Sequence, residues 1–411
     1  MKNQLMPPMT RRHFLKSAST TAAVLAVSPA VLRAAPGAND RISIGMIGVG
    51  DRASAHLREI IGLQKKHNVA ITAVCDVWKK NREAAVEAAR KASGEAPRQF
   101  TRFSDLLALK DIDAVVIAIP DFAHGPALVA ALKAGKDVYI EKPMTIDLDY
   151  ANQALDLARA NGRVVQAGTQ RRSDGHFAGA AKFIATGALG KINRISAAMN
   201  FNEARWLRPV DNCIEHDVDW DAFLVNKPKQ AFDAKLLRRW QLYRETSNGM
   251  PGLWMTHYAD AVSMITGAKY PTRAVALGGT LVWKDGRQHT DTFQATLEYP
   301  EEFLFEWGMG LGNASGTRFT VHGTKGTMDL EEWKITPEKG KENALQAGPV
   351  PTEPRGSHVA NWLDCIRSRQ RPNADIQFGH QHAVATIMTA KALETGMRQT
   401  YDPAKRVITA G

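Results

Sequence analysis

Cysteine is scarce in this chain: Cys75, Cys213 and Cys365 are its only three, far apart and with no C-x-x-C spacing. An odd, dispersed set excludes a disulfide framework and a thiolate zinc site, and predicts three buried structural thiols. Metal-ligand spacing is also missing, so no metal is expected. Charge of one sign never runs beyond a few residues. The formal net charge of +11 is inflated by Lys2, Arg11, Arg12, Lys16 and Arg33, which lie in an acid-free stretch of 38 residues; the remainder carries +6. Such a surface excludes a nucleic-acid footprint. Long apolar runs are missing too. The most apolar stretch near the start, Ala18 to Leu32, is too short and too rich in Ser, Thr and Pro for the roughly 20 residues of a bilayer span, so no stable membrane insertion is expected.

That stretch follows "TRRHFLK" (10–16) and precedes small residues that suit a cleavage site. Paired arginines, an apolar segment and small residues in that order are the mark of a twin-arginine export signal. Residues 1–38 are therefore expected to be a leader, and the mature protein to be periplasmic or otherwise extracytoplasmic.

From Arg41 the chain alternates short apolar runs with helical patterns. "ISIGMIG" (42–48), "VAITAVCD" (69–76), "DAVVIAIP" (113–120), "DVYIEKP" (137–143) and "RVVQAG" (163–168) have strand length, and "EAAVEAARKA", "PALVAALKAG" and "DYANQALDLARANG" lie between them. Strands apolar on both faces, alternating with helices, predict a parallel sheet covered on both sides. After Gly168 the rhythm changes. A helix and a strand lead into an irregular stretch from 202 to 251; a helix with His257, several strands joined by short turns and two closing helices follow. The expected class is α/β: a doubly wound Rossmann domain over 39–168, and an α+β domain over 169–411 with an open, mostly antiparallel sheet.

Gly48, Gly50 and Ala53 form G-x-G-x-x-A between the first strand and its helix. The first glycine permits the tight turn, the second admits a pyrophosphate, and the alanine keeps helix and strand close. Asp51 and Arg52 open the helix whose N-terminus faces the phosphates. Asp76, ending the second strand, can accept hydrogen bonds from a ribose diol. It would repel a 2′-phosphate, which favours NAD, although Lys79, Lys80 or Arg82 could offset that and leave NADP possible. Glu141-Lys142-Pro143 ends a strand where open α/β sheets place ligands, so Lys142 can move a substrate hydroxyl proton.

The fingerprint, Asp76, "IAIPDFAHGP" with Pro120 and His124, "EKPMTIDLDYANQAL", "VVQAGTQRR", "VDWDAFL" and "HGTKGTMDL" together resemble the Gfo/Idh/MocA oxidoreductases over nearly the whole chain after Ala38. The resemblance implies a nicotinamide cofactor, a sugar or polyol substrate, and dimers or tetramers; an exported protein has no NAD pool to exchange with, so the cofactor is expected to be tightly bound. It also implies roles for Lys142 and for His257 in "GLWMTHYAD". Where the family carries a carboxylate four residues before that histidine, this chain has Leu253; Asp260 could orient the imidazole instead, or pack elsewhere. Gln170, Arg171 and His176 form a candidate hydroxyl-binding loop, and Trp254 offers an apolar face to a sugar. The expected function is transfer of a hydride between bound NAD(P) and a sugar or sugar derivative. The leader and "LWMTH" also resemble family-109 glycoside hydrolases, which cleave by transient oxidation. Glucose-fructose oxidoreductase, with a similar leader, regenerates its cofactor in place. A non-catalytic sugar-binding protein is the remaining alternative.

Overall fold

The computed structural model describes residues 40–339 and 345–411. The expected leader lies outside the described residues.

Six strands form a wholly parallel sheet: β1 (Ile42–Ile47), β2 (Val69–Cys75), β3 (Arg98–Phe100), β4 (Ala114–Ile117), β5 (Asp137–Ile140) and β6 (Val165–Ala167). Their spatial order is β3-β2-β1-β4-β5-β6. Every residue of β4 and β5 is buried, as a sheet sandwiched between helices requires. The helices are α1 (Asp51–His67), α2 (Lys79–Ser93), α3 (Asp121–Lys133) and α4 (Leu148–Ala160), besides one short turn. The strand order reverses between β1 and β4, so Gly48 and Ala118 flank the crevice at their carboxyl ends, where doubly wound sheets hold ligands. The expected sheet is present. It has one strand more than the apolar runs suggested, because β3 is three residues long and mostly exposed.

Helix α5 (Gly175–Ala185) leads into a second sheet of ten strands. In chain order these are β7 (Ile192–Asn202), β8 (Arg273–Gly279), β9 (Thr292–Tyr299), β10 (Phe303–Gly310), β11 (Gly312–Gly323), β12 (Gly326–Asp329), β13 (Lys334–Pro337), β14 (Gly348–Pro349), β15 (Gln399–Asp402) and β16 (Val407–Ala410). Only β7 and β10 pair in parallel; all other neighbours are antiparallel. One face packs with α5, α6 (Thr256–Thr266) and α8 (Ile376–Thr395) around Phe293, Phe305, Trp307 and Phe319. On the other face Val275, Leu277 and Leu304 are exposed, Leu277 to 81%. Helix α7 (His358–Ser368) returns to the first sheet, where Trp362 is fully buried against β-strand residues such as Ile44 and Val116. All three cysteines are buried and unbridged. Among the described residues no helix is long and apolar enough to cross a membrane.

Candidate active site

Gly48 adopts φ +82°, and a Cβ there would lie 2.4 Å from the carbonyl oxygen of Ala118. Only glycine can make this turn. Gly50 stands at the N-cap of α1 with no side chain to cap it, leaving the first-turn amides open to an anionic group. Ala53 is buried under this turn. Asp76 accepts hydrogen bonds from the Val49 amide (3.0 Å) and the Trp78 amide (2.9 Å), fixing the carboxylate beside the glycine turn. Burial pushes its pKa up, against the lowering effect of those amides. Arg82 turns to the backbone carbonyl of Asp76 (2.8 Å), and Lys80 lies over the Trp78 ring.

A cavity of about 330 Å³ opens from this turn. On the sheet side it is lined by Gly48, Gly50, Asp51, Arg52, Asp76, Pro120, His124, Glu141 and Lys142; Trp254 closes the far end. Its roof was not legible in the sequence. Residues 203–250 fold over the crevice as a strap, with Trp206, Arg208, Phe223, Leu237, Arg238 and Trp240 facing the cavity. The strap has a small core of its own, in which Trp220, stacked on Phe223, packs with Val218, Leu224 and Leu236 against Trp78. Polar ties hold it down. Asp219 N–H donates to the Val77 carbonyl (2.9 Å), Asp219 pairs with Arg102 (3.1 Å), and Arg208 pairs with Asp51 (2.8 Å). Aromatic residues and arginines concentrated in a stretch without periodicity were the available signal.

Glu141 is buried, and one of its oxygens accepts from Arg52 Nε (2.8 Å), His56 Nε2 (2.8 Å) and Gln170 Nε2 (3.3 Å). Burial opposes its ionisation, but His56, Arg52 and Lys142 outweigh it and hold the carboxyl far below its ordinary range. Lys142 follows through a cis peptide to Pro143. Its amine donates to the Leu253 carbonyl and lies 5.9 Å from the Trp254 ring centre. Residues 251–255 form a π-helical turn that presents this carbonyl. A neutral backbone carbonyl thus meets the lysine at Leu253. Burial pushes the Lys142 pKa down, opposed by Glu141 and Asp121. His124 donates from Nδ1 to the Pro143 carbonyl (2.7 Å), while its buried Nε2 has no partner among the described residues. Burial lowers its pKa, as it does that of His257, where Lys142 and Arg171 add to the effect. Burial thus disfavours the charged form of both imidazoles; the His257 side chain makes no hydrogen bond to a described residue and is not among the residues that line the cavity.

Three expected substrate residues belong elsewhere. Asp260 does not orient His257 or face the cavity. It is 1% exposed, and both its oxygens are taken by Arg172 Nε at 2.9 and 3.0 Å, with His382 Nδ1 3.6 Å away. Burial opposes its ionisation, but Arg172 and His382 outweigh it and hold its pKa down. His176 points outward and packs at a tilt on Trp333, with ring centres 4.6 Å apart. Arg171 lies among Phe177, Tyr258 and Phe319, 4.2 Å from the Tyr258 ring centre, and is not among the residues lining the cavity. Arg172→Leu is expected to destabilise the fold by about 3–5 kcal/mol in chemical denaturation, because it strands a buried carboxylate. Asp260→Asn should cost less.

Comparison with known proteins agrees with this geometry. A family model described as "Oxidoreductase family, NAD-binding Rossmann fold" matches residues 42–169, and the GFO/IDH/MocA C-terminal domain matches 177–329. Inositol 2-dehydrogenase of Salmonella typhimurium is 28% identical over 224 residues, 51% of this chain and 65% of that protein. A glycosyl hydrolase family 109 protein of Shewanella pealeana is 29% identical over 171 residues, 36% of this chain and 37% of that protein. The chain thus spans less than two thirds of either relative. The WlbA dehydrogenase of Bordetella pertussis, solved with NADH and UDP-GlcNAcA, shares the fold at a TM-score of 0.65 and 21% identity, covering 88% of this chain and 99% of that one. With both halves matched in their expected order, this chain belongs to the Gfo/Idh/MocA family of oxidoreductases.

Proposed function

We propose that the protein oxidises or reduces a sugar or sugar derivative at a hydroxyl-bearing carbon, with NAD retained beneath the strap. The observation that carries this reading is the Lys142 amine. It stands at the carboxyl end of β5, in one cavity with the glycine turn, and its pKa is lowered by burial. Gly48, Gly50 and the open amides of α1 fit a pyrophosphate, and Asp76 fits a ribose diol. Asp76 beside the turn, with Arg82 bound to its carbonyl, favours NAD over NADP. A bound nicotinamide supplies the hydride acceptor or donor. Lys142 takes or returns the hydroxyl proton, His257, whose charged form burial disfavours, offers a second acceptor, and Trp254 provides an apolar face for the sugar ring.

Two further expectations stand as part of this reading. The twin-arginine leader sends the folded protein out of the cytoplasm with its cofactor already enclosed. A second copy covers the face carrying Val275, Leu277 and Leu304. The glycosidase reading draws on Leu253, whose side chain removes a carboxylate from the usual relay. Incubation with sugars, polyols and aryl glycosides, following nicotinamide absorbance and aglycone release together, decides between them. Absorbance change with free sugars supports the oxidoreductase. Aglycone release without net absorbance change supports the glycosidase. Neither signal with any member of the panel contradicts both.

A further inference from the structure

Asp121, in the first turn of α3, is a carboxylate for which the reading above has no role. It lines the cavity yet is only 2% exposed, and it forms no ion pair with a described residue. An unpaired buried carboxylate is costly to keep charged. Its Oδ2 accepts from Ser247 Oγ at 2.8 Å, and that hydroxyl accepts from the Gly249 amide at 3.1 Å, which commits its own proton to Asp121. The Phe122 amide donates to the Thr246 carbonyl (3.2 Å), stapling the turn to the same loop. Six residues after Ser247, the Leu253 carbonyl receives the Lys142 amine. One short segment, 246–253, therefore holds both Asp121 and Lys142 in place.

We infer that Asp121 is a positioning residue for Lys142: its carboxylate, held at the cavity wall by Ser247, compensates the charge of the lysine ammonium. Leu253 offers only a neutral carbonyl, so this task falls to another group. Two carboxylates favour the charged lysine, Glu141 and then Asp121, while Arg52 opposes it. Glu141, just past β5, is also paired with Arg52 of α1 and bound to His56, so Asp121 is the one of the two that no ion pair among the described residues occupies. Burial disfavours the charged form of His124 on α3, His257 on α6 and His289, whose ring meets the Ser247 carbonyl. Burial lifts Asp121 to about 7, with Lys142 and Ser247 pulling the other way. When Lys142 takes a proton from a substrate hydroxyl, that proton stays on Nζ and the new charge lies in the same cavity as the Asp121 carboxylate. The consequence for turnover rests on the oxidoreductase reading; the coupling itself does not.

The test therefore reads the amine directly. The full-length protein is reductively methylated with ¹³C-formaldehyde, the Lys142 resonance is assigned with Lys142→Arg, and its shift is followed against pH. Asp121→Asn keeps an acceptor for Ser247 and removes the charge. It is expected to lower the Lys142 midpoint by about one unit, as loss of a nearby opposite charge does. Ser247→Ala breaks the contact but keeps the charge, and should leave that midpoint near the unaltered protein's. A merely structural contact predicts the reverse pattern, and an unchanged midpoint in Asp121→Asn overturns the inference. The unaltered protein gives a second check that needs no variant: Lys142 should show an additional inflection near pH 7 as Asp121 protonates, and a single inflection contradicts the coupling. If the sugar panel fails while these titrations hold, only the functional reading falls.

Discussion

Lys142→Ala is expected to lower turnover by about 10²–10⁴-fold, the usual contribution of a positioned acid-base group. The reasoning starts from the strand. β5 is buried on both faces and ends at the ligand crevice, so Glu141 and Lys142 emerge at a fixed point. Glu141 turns back to Arg52 and His56, and Lys142 turns forward to the Leu253 carbonyl and the Trp254 face. Removing the amine leaves the glycine turn, Asp76 and the strap untouched, so bound cofactor per protein should stay near that of the unaltered protein. The loss should appear in kcat more than in KM, because the proton is moved in the reacting state. Turnover within a few-fold of the unaltered protein would remove Lys142 from the chemistry.

Trp220→Ala should release the cofactor. The indole stacks on Phe223 at 4.8 Å between ring centres and donates from Nε1 to the Gln230 carbonyl at 2.8 Å. It is the largest side chain in the small core that holds the strap against Trp78. Truncating a buried tryptophan costs about 3–5 kcal/mol, and here the cost falls on a segment that must lift for the cofactor to leave. Since each 1.4 kcal/mol is about tenfold, dissociation should accelerate by at least tenfold even if half of the loss is absorbed by relaxation. Arg208→Ala, which breaks the pair with Asp51, should act in the same direction and more weakly, since that pair is partly exposed. Cofactor remaining after timed dialysis, compared across the three proteins, measures this. Equal retention in all three would mean that the strap does not gate release.

The sequence revealed the first sheet more readily than the second, for a physical reason. Strands covered on both faces are continuous apolar runs, and β1, β2, β4 and β5 stand out as such. β13 to β16 are two to four residues long and pair at the rim of a sheet, where no periodicity develops. The site divides in the same way. Gly48, Asp76 and Lys142 carry meaning locally, because a turn and two strand ends fix them. Asp121 depends on Ser247, 126 residues later, and Asp260 on Arg172, 88 residues earlier. Spacing within one helix placed Asp260 near His257, but the arginine that claims it comes from another element. The strap is a tertiary device throughout. Its segments are short and its order comes from burying Trp220, Phe223 and Leu236 against Trp78.

The central claim is that Lys142 serves a nicotinamide held inside this cavity. Its most direct test uses the protein as purified and dialysed, with no cofactor added. Nicotinamide absorbance is recorded after single additions from the sugar and polyol panel, for the unaltered protein and for Lys142→Ala. The account predicts near-stoichiometric bound cofactor in both proteins, with a rapid absorbance change of about one equivalent per site in the unaltered protein and one slowed by orders of magnitude in the variant. Protein that emerges cofactor-free and binds NAD only weakly when it is supplied, or a variant that responds as fast as the unaltered protein, would contradict it.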